Sequence, residues 1–126
     1  PVGKTVPDSL RKAIKIMEQN LETPLPIASV AQAANISQRQ MDRLFAQYVG
    51  RSPVQYYRDI RLDRARGLVT QTTMTLTEIA YASGFSSQVH FSRTYKARFG
   101  LPPQKDRITG RIPFEFRAWP MHPRNG

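Results

Sequence analysis

Val30-Ala-Gln-Ala-Ala-Asn-Ile-Ser37, ahead of a helical run that closes at Gly50, is written again as Ile79-Ala-Tyr-Ala-Ser-Gly-Phe-Ser86 ahead of a run that closes at Gly100. Val30, Ala31, Ala33, Asn35 and Ile36 recur 49 residues later as Ile79, Ala80, Ala82, Gly84 and Phe85. Met41, Arg43, Phe45, Gly50 and Pro53 recur 50 residues later as Phe91, Arg93, Tyr95, Gly100 and Pro103, so the second turn is one residue longer. Small residues at Ala31 and Ala80 let two helices approach closely, while Asn35 and Gly84 accept the left-handed backbone that a sharp turn needs. One copy alone would fit a generic two-helix hairpin. Two copies make chance similarity a poor explanation, and two helix-turn-helix units in a basic chain imply DNA read at two places.

The composition agrees. With 126 residues the chain can bury one modest core or two small ones, far short of a multi-domain enzyme. Its 19 Lys and Arg against 9 Asp and Glu leave a net charge of +10, a balance that nucleic acid or an anionic membrane surface would satisfy. No apolar run approaches the roughly 20 residues needed to span a bilayer, and the amino end lacks a signal-peptide pattern. A soluble, cytoplasmic protein without a membrane partner is therefore expected. The absence of cysteine excludes disulfides and thiolate metal sites and favours a reducing compartment. The missing initial Met points to a trimmed fragment.

Working outward from the repeat, Leu10, Ala13, Ile14, Met17 and Leu21 mark one face of a first helix, started at Pro7-Asp8-Ser9 and ended by Pro24 and Pro26. A short helix from Ile27 to Ala34 and the turn Asn35-Ile36 lead into a third helix from Ser37 to Val49, where Ser37 and Gln40 form a capping box. There Met41, Leu44, Phe45 and Tyr48 form the buried stripe and turn Arg39, Asp42, Arg43 and Ala46 outward. A connecting helix runs from Pro53 to about Thr70, burying Tyr57, Leu62, Ala65, Leu68 and Val69. At about 1.5 Å per residue it can hold two modules roughly 25 Å or more apart. Thr75 and Glu78 make a second capping box, with Met74 and Ile79 as its hydrophobic staple, for a fifth helix reaching Ser83. Ser86 or Ser87 caps the sixth, with Phe91, Tyr95 and Phe99 inward, and Pro102-Pro103 starts a short last helix to about Ile108. The expectation is an all-α, seven-helix fold. Its subdomains span 7–50 and 72–109, joined by a connecting helix at 51–71 and followed by an extended basic and aromatic tail at 110–126.

At these residues the chain resembles the AraC/XylS family of bacterial transcription regulators, over about Leu10 to Ile108. The resemblance rests on Arg43-Leu44-Phe45, Gly50-Arg-Ser-Pro53, Tyr56-Tyr57, Arg61-Leu62-x-x-Ala65, Ile79-Ala-x-x-x-Gly84-Phe85, Phe91-Ser-Arg93 and Phe99-Gly100-x-Pro102. It implies seven helices with the third and sixth entering neighbouring major grooves of double-stranded DNA, RNA polymerase as a candidate partner, and an effector-sensing domain elsewhere in the full-length chain. Ile16-Met-Glu-Gln-Asn-Leu-Glu22 with Pro24-Leu25 most resembles the branch whose sensor is similar to the amidotransferase/DJ-1 fold. The chain departs from its own repeat at Pro26, which stands where the second unit has Thr75 and would start the helix through its fixed φ.

Within the outward stripes, Arg39 and Arg43 lie one helical turn apart, and a guanidinium can donate two bonds to guanine O6 and N7. The alternative is a solvated charge, or a structural role for Arg43, whose repeat mate Arg93 is also Arg. Asp42 would repel phosphate but can accept from cytosine N4 or orient Arg39. In the sixth helix Gln88, Val89, Ser92, Arg93 and Lys96 face outward. Gln88 suits adenine N6 and N7, and Val89 suits a thymine methyl unless it packs inside. Ser37, Ser86 and Ser87, with the open amides at their helix starts, suit phosphates, although capping explains them equally. Lys96 and Arg98 can reach the DNA backbone, Arg58, Arg61, Arg64 and Arg66 look like ion-pair and solubility residues around Asp59 and Asp63, and Arg61 would also lock the connecting helix against a unit.

Two distant histidines, His90 and His122, cannot form a metal site, and neither a metal nor any other cofactor is expected. No serine has a nucleophile-elbow context and Glu78 is committed to a cap, so no catalytic residue is assigned. Gly3-Lys4-Thr5 lacks the preceding glycine and strand of a phosphate loop. The expected function is sequence-specific DNA binding; the alternative, a non-specific architectural DNA- or RNA-binding protein, would not need two different stripes on matched helices.

Overall fold

The computed structural model describes residues 5–111. Among them run α1 (Asp8–Glu18), α2 (Ile27–Ala33), α3 (Gln38–Tyr48), α4 (Pro53–Gln71), α5 (Leu76–Ala82), α6 (Gln88–Phe99) and α7 (Pro103–Arg111). The described residues contain no strand, and none of their helices is long and apolar enough to cross a membrane. The chain divides into two compact units, the first through Arg61 and the second from Leu62, so the boundary falls inside α4. Gly110 and Arg111 are helical rather than part of an extended tail. The rest of that tail and His122 lie outside the described residues.

In the first unit Leu10, Ala13 and Met17 occupy one face of α1 and are buried against Val30, Ala31 and Ala34, against Met41, Leu44 and Phe45 of α3, and against Tyr57 of α4. Phe45 is fully enclosed, so its truncation to alanine would cost about 3–5 kcal/mol. Leu62, Ala65 and Val69 of α4 build the second core with Ile79, Ala80, Phe85, Phe91 and Tyr95. Leu68, Tyr48 and Phe99, expected inside, are only partly buried.

These two cores extend the repeat. Leu10, Ala13 and Met17 of α1 match Leu62, Ala65 and Val69 of α4 at the same internal spacing, and all six are essentially inaccessible. Each unit is therefore a four-helix module, with α4 closing the first by its amino-terminal half and opening the second by its carboxy-terminal half. The closing segments also correspond. Tyr57 donates its hydroxyl to Asn20 O at 2.6 Å and accepts from Leu25 N–H at 3.1 Å. Fifty residues on, Arg107 donates to Val69 O at 3.0 Å and Thr72 O at 3.4 Å. In both units the closing helix satisfies backbone groups left open where the module's first helix ends. This clamp corrects the expected end of α1. The helix stops at Glu18, well before Pro24, because Asn20 Nδ2 donates back to Ile16 O and Tyr57 holds the segment that follows.

The turns follow the repeat as well. Asn35 has φ 62° and Gly84 φ 84°, the left-handed conformations that let α2 and α5 reverse into α3 and α6. Pro26 starts α2 with φ −58° and no side-chain cap. Thr75 caps α5 reciprocally with Glu78, and Thr75's backbone N–H and then its hydroxyl hold the Glu78 carboxyl below its ordinary range. Ser52 and Gln55 exchange the same pair of bonds at the start of α4. At α3 only half of the expected box forms: Ser37 Oγ accepts from Gln40 N–H at 3.0 Å, and among the described residues the Gln40 side chain does not return the bond.

Candidate nucleic-acid interface

The exposed face of α3 follows from what its other face must bury. With Met41, Leu44 and Phe45 in the core, Arg39, Asp42 and Arg43 are all exposed. Ser37, Arg39, Gln40 and Arg43 line one shallow depression of about 400 Å3, so the cap and the two guanidinium-bearing residues share a surface. Asp42 makes no ion pair with Arg39 among the described residues, which leaves the orienting role suggested for it without a contact. Ser37 occupies one amide at the helix start, and the N–H groups of Gln38 and Arg39 remain open.

On α6 Phe91 and Tyr95 face the core, while Arg93 and Lys96 are exposed. Val89 is 65% exposed, so it does not pack inside. Ser92 is half-buried. Ser87, not Ser86, is the cap: its Oγ accepts from His90 N–H at 3.1 Å, and Ser86 is exposed beside it. Gln88 is half-buried and its Oε1 accepts the Thr77 hydroxyl at 2.7 Å. The imidazole of His90 leans on Phe85 with ring centres 5.7 Å apart. No group of three His, Cys, Asp or Glu residues that could hold a metal ion occurs among the described residues.

Several basic residues are committed elsewhere. Arg98, expected to reach the DNA backbone, grips Asp63 with two bonds of 2.9 and 3.1 Å and lies over Phe99. Arg66 pairs with Asp106, not with Asp59 or Asp63, and its guanidinium lies 4.6 Å from the centre of Phe99. Asp59 instead holds Arg51 from the preceding loop. Arg58 and Arg64 make no ion pair among the described residues. Arg61 lies over the ring of Tyr57, one turn back along α4. On α3 and α6 the exposed basic residues without an ion pair among the described residues are Arg39, Arg43, Arg93 and Lys96.

Two residues of this surface escaped the sequence reading. Gln38, first residue of α3, lines a depression with Ala28, Gln32 and Asn35, and its 50-residue offset to Gln88 was the available signal. Thr77 gave no such signal, since its bond spans two helices.

The helix-turn-helix domain family matches residues 30–109. The HTH-type transcriptional regulator ArgR of Pseudomonas aeruginosa is 44% identical over 98 residues, covering 78% of this chain and 30% of that protein; the chain thus spans under a third of this curated relative's length. A crystal structure of a transcriptional regulator of the AraC-type DNA-binding class from Chromobacterium violaceum superposes with a TM-score of 0.81 at 42% identity, over 84% of this chain and 95% of that one. The DNA-binding domain of AdpA, solved with a target DNA, has a TM-score of 0.77 at 24% identity, over 82% and 93% of the two chains, a likeness that bears on fold alone.

Proposed function

The chain belongs to the AraC-type helix-turn-helix DNA-binding domains of transcriptional regulators, and from that premise we propose that it reads an asymmetric duplex site through α3 and α6, each in a major groove of neighbouring turns. Residues 7–50 and 72–109 serve as the two reading subdomains, joined through 51–71. The observation that carries this reading is the pair of matched helices with unlike exposed stripes. Arg39 stands on α3 where Val89 stands on α6, both exposed, so the two cannot prefer the same bases. Arg39 and Arg43 take base edges or phosphates on one side. Gln88, Val89 and Arg93 take bases on the other, with Ser92 beside them, Asp42 near a cytosine amine, and Ser37, Ser86, Ser87 and Lys96 on phosphates. A non-specific architectural protein would have no use for that difference.

Double-stranded DNA is the direct partner. An effector-sensing segment of amidotransferase/DJ-1-like fold and RNA polymerase are the further partners we assign, in a cytoplasmic regulator working at the nucleoid. No step of chemistry is assigned to the domain. A footprint on a duplex selected from a randomised library tests the reading. One chain protecting an asymmetric site is the expected result; a strict palindrome occupied by two chains would contradict it.

A further inference from the structure

We propose that Thr77 is a specificity-determining positioning residue, its hydroxyl fixing the amide of Gln88 in the orientation in which Gln88 meets a base edge. The inference rests on the reading of α6 as a base-reading helix. Thr77 lies in the first turn of α5 and Gln88 is the first residue of α6, so one hydrogen bond ties the two helices of the second unit together at its exposed end. At 2.7 Å the bond has the usual length for O–H···O. It occupies one of the two lone pairs on Oε1 and leaves the other lone pair and both amide N–H donors available. Adenine recognition needs one acceptor and one donor from the same amide, which is what remains.

The first unit shows what the arrangement is without the tether. By the repeat, Gln88 corresponds to Gln38 and Thr77 to Ala28, and both residues of that pair line one depression. Alanine has no hydroxyl, and Gln38 is exposed with no side-chain hydrogen bond among the described residues. Gln38 must therefore be ordered on binding, whereas Gln88 is already ordered. Immobilising one such side chain weakens binding by about 2- to 12-fold, and that difference is what Thr77 removes in advance. The second unit should discriminate sharply at the base pair under Gln88, and the first should tolerate more than one base under Gln38.

The test compares Thr77→Val, which keeps the shape without the hydroxyl, Thr77→Ser, which keeps the hydroxyl, Gln88→Ala, and the Thr77→Val/Gln88→Ala pair. Each binds a duplex selected by the unmodified chain, every single-base-pair variant of it, and a scrambled duplex. Thr77→Val is expected to lower discrimination about 2- to 12-fold at the base pair that Gln88→Ala also affects. Affinity for scrambled DNA should not change, Thr77→Ser should retain discrimination, and Thr77→Val should add nothing once Gln88 is alanine. In the free protein, the NMR order parameter of the Gln88 side-chain amide should fall in Thr77→Val to the level of Gln38. Unchanged discrimination in Thr77→Val, with a clear effect of Gln88→Ala, would overturn the positioning role and leave the base reading intact. No effect of Gln88→Ala at any base pair would sink the base reading and the inference with it. An equal effect of Thr77→Val with and without Gln88 would show that Thr77 acts elsewhere.

Discussion

Removal of the Asp106 carboxylate tests how the second unit is held together. Asp106 is buried, and its Oδ2 accepts both Tyr95 Oη at 2.5 Å and Arg66 Nε at 3.0 Å, tying α7 to α6 and α4. In the first unit the corresponding positions are Phe45 and Tyr56, whose rings meet with centres 5.5 Å apart, so an apolar contact there is replaced here by a hydrogen bond. Asp106→Ala leaves the inaccessible Tyr95 hydroxyl without its acceptor, a cost of about 1–3 kcal/mol. Arg66 has 46% of its side chain exposed and returns to water, so its lost pair adds no more than about 1 kcal/mol. Tyr95→Phe removes the donor and leaves Asp106 with Arg66, at about 1 kcal/mol. In the Tyr95→Phe background, Asp106→Ala should then cost only the Arg66 share, which makes a coupling of about 1–3 kcal/mol, the orphaned-hydroxyl share, in a double-mutant cycle. Chemical denaturation with hydrogen exchange on α6 gives these values. Equal costs of Asp106→Ala in both backgrounds would refute the reasoning. The pH arm has a fixed sign: burial, and then the Asp106 hydrogen bond, push the Tyr95 phenol well above its ordinary value. Its contribution is complete below about pH 10 and is lost as the pH rises through the folded value, by up to about 1.4 kcal/mol per pH unit. Tyr95→Phe should abolish that alkaline slope.

On the DNA side, Arg39→Ala and Arg43→Ala should each reduce discrimination at a few adjacent base pairs by about 1–3 kcal/mol, measured as affinity ratios over single-base-pair variants. Unchanged base preference in both would remove α3 from the readout. Lys96→Ala should instead weaken all sequences alike and lower the salt slope by roughly one unit, and a base-selective effect would contradict its assignment to phosphate. Ser83 is buried, with its hydroxyl unpartnered among the described residues, where the first unit has Ala34, so Ser83→Ala should raise unfolding stability by up to about 1 kcal/mol in thermal melts. A loss of similar size would show that the hydroxyl is satisfied in solution.

The interior of each module was legible because its signals are local. Ala31 with Asn35, Ala80 with Gly84, and Thr75 with Glu78 state helix contact, turn and cap within a few residues. The match of Leu10, Ala13 and Met17 to Leu62, Ala65 and Val69 is equally present in the sequence, but at an offset of its own and broken by Ile14 against Arg66. What pattern alone does not carry is the long-range polar pairing. Arg98 meets Asp63 across 35 residues and Arg66 meets Asp106 across 40, while Asp63, three residues before Arg66 on α4, satisfied the helical spacing rule for Arg66 equally well. The end of α1 was misread for the same reason, since the phenol that holds Asn20 O comes from Tyr57, 37 residues away. At the interface, outward stripes could be counted from helical periodicity, but the Thr77 to Gln88 bond depends on how α5 and α6 cross.

Competition between specific and scrambled DNA tests the central claim most directly. A labelled duplex selected by this chain is bound and then displaced by unlabelled selected duplex, or by a duplex of the same length and composition with its bases shuffled, at physiological salt. Readout by two unlike helices predicts that the selected duplex displaces at a concentration on the order of 10³-fold lower. Equal displacement by both, as net charge alone would give, would contradict it.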